Sequence, residues 1–217
     1  MCVTVCISIK FDLHACNIVD TIEAIRSRRS IKSFQSHEMS QDEINHLLNL
    51  AVLSPTSYNI QNWRFVTVTD QSVKDRLCEL SYGQRQVAEA SLLIILCADL
   101  KAWDKDPGRY WQILDEKQRN DIVDAIKRSY RGNKSLEKDE AFRSCSIAAQ
   151  TIMLAARSMG YDTCPMEGFE FDKVGELIKL PADHIITMMV AVGKRAKAPL
   201  PRGGQLALSE VVFENHF

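Results

Sequence analysis

Apolar positions recur along this chain in two rhythms. Ile18, Ile22 and Ile25 fall at helical spacing and predict a first helix from Ile18 to about Arg28. Ser40-Gln41-Asp42-Glu43 is a capping box, in which hydroxyl and carboxylate each satisfy a free amide. It opens a second helix with Ile44, Leu47, Leu48 and Ala51 on one face. Arg64 to Thr69 (RFVTVT) alternates as a half-buried strand does. A short helix from about Ser72 to Leu80 follows, and Tyr82-Gly83-Gln84-Arg85-Gln86 leads into a further helical turn. Leu92 to Ala98 (LLIILCA) is unbroken apolar sequence, expected of a strand covered on both faces. Residues 139–159 predict a long helix with small residues (Ala141, Ser144, Ala148, Ala155) along one stripe, and Gly160 sits where a left-handed cap belongs. Asp172 to Leu180 reads as a short helix stopped by Pro181, and Ile185 to Val192 (IITMMVAV) as another buried strand. The alternation of Leu208, Val211 and Phe213 makes the tail a candidate fourth strand.

Two stretches break these rhythms. Residues 101–138 carry Trp103, Tyr110, Trp111 and Tyr130 among many charges, with Pro107-Gly108 as punctuation. The segment reads as a helical excursion, and two roles stand open for it: a lid, or a solvated helix pair covering the core. Residues 1–17 hold three cysteines and a weak strand-like alternation, without the basic start, apolar core and cleavage site of a signal peptide. An extended start, an added strand and a frayed arm all fit. With no internal repeat, the expectation is one domain over residues 18–217.

Composition narrows the function. At 217 residues and 46% hydrophobic, the chain can bury one substantial core. A formal charge of −1 offers no electrostatic footprint for nucleic acid or an anionic membrane. No apolar run is long enough to span a bilayer. Seven cysteines, an odd count without a C-x-x-C pair, point to a reducing cytoplasm. The five histidines are scattered, so no metal is expected. There is no G-x-G-x-x-G after a strand, no Walker pattern and no G-x-S-x-G elbow. Cys164, ahead of Pro165, is the one thiol near a polar turn; such cysteines are usually inert small apolar residues.

Against this neutral background, residues 26–34 (RSRRSIKSF) concentrate four cations and three hydroxyls in nine positions. Alone, the run reads as a solvated helix end. It also has the chemistry of a phosphate grip, since Arg supplies a bidentate fork, Ser a short donor and Lys a mobile charge. Ser54 to Trp63 is an amide- and hydroxyl-rich loop that reads equally as an ordinary turn. Pro165-Met166-Glu167-Gly168-Phe169 follows the long helix.

Taken together, these segments resemble the nitroreductase family of FMN-dependent oxidoreductases. The likeness runs from about Ile18 to Phe217 through three motifs: R-R-S-[IV]-[RK]-x-F at Arg28 to Phe34, S-P-[ST]-x-x-N-x-Q-x-W-x-F at Ser54 to Phe65, and P-[IM]-x-G-F at Pro165 to Phe169. The resemblance implies an α+β fold, a central, mostly antiparallel sheet wrapped by helices. It implies an intertwined homodimer whose tails (residues 194–217) cross to the partner, with FMN at the interface. Arg28, Ser30 and Arg202 would grip the phosphate, with Arg29 alongside, and Lys32 would lie by the pyrimidine edge. Ser57 and Asn59, from the partner chain, would approach the isoalloxazine or ribityl. Glu167 and Gly168 would present backbone N–H groups near N5 and O4, and Gln61, Gln86, Pro165 and Met166 complete the implied cofactor-lining set.

The sequence departs from the family pattern in three places. Asn62 replaces the usual Pro before Trp, and Gln86 stands where some members carry Lys. The tail reads P-R-G-G-Q rather than a Lys-x-Arg pair, leaving Lys194 or Lys197 as the possible substitute cation. The implied activity is ping-pong hydride transfer from NAD(P)H to flavin N5 and on to a small-molecule electron acceptor such as a nitroaromatic or quinone. The catalytic chemistry resides on the cofactor, with no side-chain acid or base required. Alternatives are a same-fold dehalogenase or flavin-fragmenting enzyme with a closing lid, or a non-catalytic FMN-binding dimer.

Overall fold

A computed structural model describes residues 19–217; the N-terminal arm (residues 1–17) and Ile18 lie outside the described residues. The first helix, α1, covers Thr21–Ser27 and is opened by the Asp20 carboxylate, which accepts from the Glu23 amide. Helix α2 (Gln41–Ala51) starts with the expected capping box, the Ser40 and Glu43 side chains each reaching the other's backbone amide. Ile44, Leu47 and Ala51 form its buried face.

Four strands form the sheet: β1 (Trp63–Val68), β2 (Leu92–Asp99), β3 (Asp162–Met166) and β4 (His184–Gly193). Their order is β1-β2-β4-β3 and every pairing is antiparallel. The fourth strand is therefore Asp162–Met166 and not the tail. The tail's apolar alternation instead becomes a four-residue helix, α8 (Leu208–Val211), whose apolar side chains are exposed. Proline inside β3 is tolerated because β3 is an edge strand, where a missing N–H breaks no ladder.

Strand β2 is buried along its whole length, as an unbroken apolar run requires. Its two faces feed two cores. Leu92, Ile94 and Leu96 pack with α2 and with α6 (Lys134–Ser158), through Leu47, Ala148 and Ile152. Leu93, Ile95 and Cys97 pack with Leu77 of α3 (Gln71–Leu80), Val87 of α4 (Arg85–Glu89) and Val174 of α7 (Phe171–Leu177). Burying each such Leu or Ile contributes about 1.5–3 kcal/mol, so the sheet is a rigid base for what sits on its ends. The small stripe of α6 lets that helix lie close to the sheet, with Ala141, Ser144 and Ala148 buried and Ala155 half-buried.

The excursion 101–138 contains a 3-10 turn at Pro107–Trp111 and α5 (Glu116–Tyr130), and ends in the first turn of α6. Trp103 belongs to a small core of its own with Ile60, Ile126 and Tyr130. Its ring stacks on Tyr130 at 6.1 Å, and its indole N–H donates to Glu137 at 2.9 Å. Trp103 is therefore a packing residue, its ring holding the excursion down. Tyr110 and Trp111 are half-buried.

Candidate functional site

Three connections assemble the site from distant stretches. After α1 the chain runs extended along the outer edge of β3. Ser30 bridges Thr163 in parallel, and the Ile31 amide donates to the Thr163 carbonyl at 2.9 Å. The tail folds back onto the same stretch. The Arg202 guanidinium donates to the carbonyls of Arg26 and Arg28, both at 3.0 Å, and that of Arg29 to the Leu200 carbonyl. Arg28, Arg29, Ser30 and Arg202 thereby line one cavity of about 220 Å³. A neighbouring cavity of about 340 Å³ is lined by Arg29, Ser30 and Lys32, and by Lys197, Pro199 and Leu200 of the tail.

The nearby acid does not neutralise these cations. Asp162 is paired with Arg157 at 3.4 Å and Arg195 at 3.2 Å. Nor is Lys194 available to the cluster, because its ammonium donates to the Gly160 carbonyl and sits 3.6 Å over the Tyr161 ring. Of the two substitute cations, Lys197 is the one the fold brings beside Lys32.

Strand β3 leads from this cluster to the third motif. Pro165 and Met166 pair with Val190 and Met189. Phe169 is buried and its amide closes back on the Glu167 carbonyl at 3.1 Å, a tight turn centred on Gly168. Glu167 and Gly168 are exposed, and their own N–H groups have no hydrogen-bond partner among the described residues. At 3.3 Å per residue, these free donors lie at most about 17 Å from Thr163, the residue that Ser30 of the cluster bridges.

Cys164 lies between the two. Burial pushes its thiol up, only partly countered by the Lys32 charge, which makes it an inert packing residue close to Lys32.

The second motif sits elsewhere. Ser57–Asn59 forms a 3-10 turn, and Tyr58, Asn59 and Gln61 all adopt positive φ (50°, 52° and 46°). Non-glycine residues rarely take this region, and such strain concentrates at functional loops. The loop is held by the buried Glu140 of α6, whose carboxylate accepts the Ser57 amide at 2.9 Å and the Ser144 hydroxyl at 2.8 Å. At the other end of α6, Arg157 donates to Ser27 beside the cation cluster. From position 140 to position 157 a helix climbs roughly 25 Å at 1.5 Å per residue. Ser57 is thus held roughly 25 Å along α6 from the Ser27 end of the cation cluster in the same chain.

Gln86 is buried, and its side-chain amide donates to Gln84 at 2.9 Å rather than facing the cation cluster. Sequence reasoning does not single out Gln84 or Glu140. Each acts over a long separation in the chain, and neither stands in a motif.

Two other features are accounted for locally. A cavity of about 620 Å³ is lined by Phe34, His37, Lys74 and Ser91, among others, and by none of the residues expected to line the cofactor. Its Lys74 ammonium is bonded to the Ala90 carbonyl at 2.6 Å. Asp99, Asp183 and His184 approach one another as metal ligands do, but the Lys105 ammonium bonds both carboxylates. Lys105, and then His184, hold the half-buried Asp183 carboxyl down at about 2.

The order of these motifs has a counterpart in known proteins. A family model described as the nitroreductase family matches residues 25–194. The chain belongs to the nitroreductase family. It is 45% identical over 205 residues to DrgA of Synechocystis sp., a match covering 89% of this chain and 98% of that one. It is 35% identical over 184 residues to an oxygen-insensitive NADPH nitroreductase of Helicobacter acinonychis, covering 81% of this chain and 87% of the relative. Among solved structures, a protein of Exiguobacterium sibiricum in complex with FMN superposes with a TM-score of 0.83. That chain is 29% identical, and the match covers 90% of this chain and 97% of that one. The α+β fold expected from the resemblance is the fold observed.

Proposed function

We propose that this chain is an FMN-dependent NAD(P)H oxidoreductase that works as a cytoplasmic homodimer on a nitroaromatic or quinone-like acceptor. One observation carries the reading. A cluster of cations and a hydroxyl (Arg28, Arg29, Ser30, Arg202) faces a cavity at one end of β3, and two free backbone donors (Glu167, Gly168) stand at the other. That donor set fits FMN, with a bidentate-capable grip for the phosphate and N–H groups for the acceptor atoms of the ring. The names of the relatives, an NADPH nitroreductase and an FMN complex, support the same pairing of cofactors.

FMN held by these residues would supply the redox chemistry between NAD(P)H and an acceptor, in ping-pong order. The chain's own residues bind, orient and tune. Arg28, Ser30 and Arg202 hold the phosphate, and Arg29 fixes the tail against it. Lys32, with Lys197 beside it, places positive charge by the pyrimidine edge, where it favours the more negative reduced form. Pro165 and Met166 set the direction of the Glu167–Gly168 turn. Ser57, Asn59 and Gln61 are held at the far end of α6 from the cation cluster, about 25 Å along the helix, which favours their use in a second copy's site. They serve the partner's site across a two-fold axis.

The exposed apolar side chains of the tail (Leu206, Leu208, Val212, Phe213) and of α6 (Phe142, Ile147) give that dimer its surface. The buried, stacked Trp103 weighs against a mobile lid over a special ligand, and so favours an open flavin face over a dehalogenase or flavin-fragmenting enzyme.

The test is direct. Purified protein should be yellow, release a chromophore of FMN mass, bleach anaerobically with NAD(P)H and regain its colour with a quinone. A colourless protein that fails to take up FMN on reconstitution would overturn the reading; a yellow protein that does not bleach would make it a binding protein.

A further inference from the structure

The Glu167–Gly168 turn is held by a residue outside every motif. Gln84 donates its side-chain amide N–H to the Gly168 carbonyl at 2.7 Å, across 84 positions of sequence. The Gln84 side-chain carbonyl accepts from the buried Gln86 amide at 2.9 Å. An amide has one donating and one accepting end. With the accepting end fixed by Gln86, the donating end must face Gly168.

The backbone of Gln84 is equally fixed. Its N–H donates to the Ser81 carbonyl at 3.1 Å, and its carbonyl accepts from Val87 at 3.0 Å and from the Cys78 thiol at 3.3 Å. The preceding Tyr82 and Gly83 both take positive φ, a tight left-handed turn that aims Gln84 toward β3. A second tether runs in parallel, from the Glu170 amide to the Leu80 carbonyl at 2.9 Å. A Cβ at position 168 would come within 3.1 Å of the Gln84 amide nitrogen, so the contact itself favours glycine there.

We propose that Gln84 is a positioning residue. Its amide, oriented by Gln86, fixes the Gly168 carbonyl and so keeps the free Glu167 and Gly168 N–H groups aimed at the acceptor atoms of a flavin ring. The inference rests on the proposed function for the identity of that ligand, and on the hydrogen bonds above for the role of Gln84. It also gives Gln86 a role at one remove, since Gln86 acts through Gln84 and does not contact the ring.

The experiment uses full-length 15N-labelled protein titrated with FMN, following the backbone resonances of Ser30, Glu167 and Gly168, with FMN affinity measured in parallel. In wild type all three resonances should shift. Gln84→Glu keeps the size and still accepts from Gln86, but turns a carboxylate oxygen toward the Gly168 carbonyl. At pH 8 the Ser30 shift should persist, the Glu167 and Gly168 shifts should shrink, and affinity should fall about tenfold, the equivalent of one ordinary hydrogen bond.

Lowering the pH protonates the new carboxyl, which then donates to Gly168. The shifts and the affinity should recover toward pH 5, a response a purely structural defect would not show. Gln84→Leu should lose both at either pH, and its melting curve checks that it folds. If Gln84→Glu binds and shifts like wild type at pH 8, or loses binding equally at both pH values, the proposal fails. If wild type shows no FMN response at any of the three residues, the flavin reading itself fails. If Ser30 responds while Glu167 and Gly168 do not, the flavin reading stands and this proposal falls.

Discussion

Removing Glu140 should damage two properties that its position on α6 ties together. The carboxylate is buried and accepts two bonds on one oxygen, from the Ser57 amide and the Ser144 hydroxyl. In Glu140→Ala the Ser144 hydroxyl can turn to a helix carbonyl one turn back, but the Ser57 amide loses its partner. A hydrogen bond to a charged group is worth about 1.5–3 kcal/mol. The loop it restrains holds three non-glycine residues at positive φ, conformations that persist only while the surroundings enforce them. We take about 2 kcal/mol as the loss, which for a chain of this length lowers Tm by roughly 4–8 °C.

Glu140→Gln keeps an acceptor oxygen and should lose less than half as much. On the proposal that Ser57 and Asn59 serve a partner's cofactor, FMN affinity should fall in the same order, Ala below Gln below wild type. Calorimetry and FMN titration on all three proteins check this. An Ala variant that melts and binds FMN like wild type would refute the assignment of Glu140 as the strut of the loop.

Four further outcomes are expected. Arg28→Ala should weaken FMN about ten- to a hundredfold without changing the midpoint potential, whereas Lys32→Met should lower the potential by roughly 30 mV for each 1.4 kcal/mol of lost differential stabilisation; dissociation and potentiometry separate the two. Truncation after Lys197 removes Arg202 and the apolar tail, and should give FMN-free or insoluble protein by absorbance and light scattering. Trp103→Ala should destabilise by about 3–5 kcal/mol in denaturant unfolding, while Tyr110→Ala and Trp111→Ala should act mainly on acceptor KM. Burial pushes the Cys97 thiol up to about 12 and the Cys145 thiol to about 11. Both stay protonated when folded, so they favour the fold below pH 9 and that contribution is lost as pH rises through 11–12; Cys97→Ala should flatten the alkaline fall in stability.

The strands read most easily were those with strong patterns. RFVTVT, LLIILCA and IITMMVAV became β1, β2 and β4 within a residue or so. Strand β3 escaped because DTCPM is five residues long, contains proline and does not alternate. Helix α6 starts at Lys134, before the expected Asp139, because its first turn is polar and only the Asn133 cap, accepting from Leu136, marks it. The motif residues and their expected grouping came from the resemblance, not from any local pattern. That the first and third motifs meet while the second lies a helix length away depends on the run of α6, which no local pattern encodes. Gln84 left no local signal, since its meaning is a contact with residue 168.

The contact between Ser30 and Thr163 has a consequence for solubility. Strand β3 is the last strand of the sheet on its side, and an open strand edge is a template for pairing with other chains. The extended stretch through Ser30 and Ile31 lies against that edge, occupies the Thr163 carbonyl and sets three cations along it, while Pro165 offers no N–H. The stretch proposed to grip the phosphate therefore also covers the open edge of the sheet. Variants that dislodge the stretch, such as a charged residue at the buried Ile31, should clump on warming even when saturated with FMN.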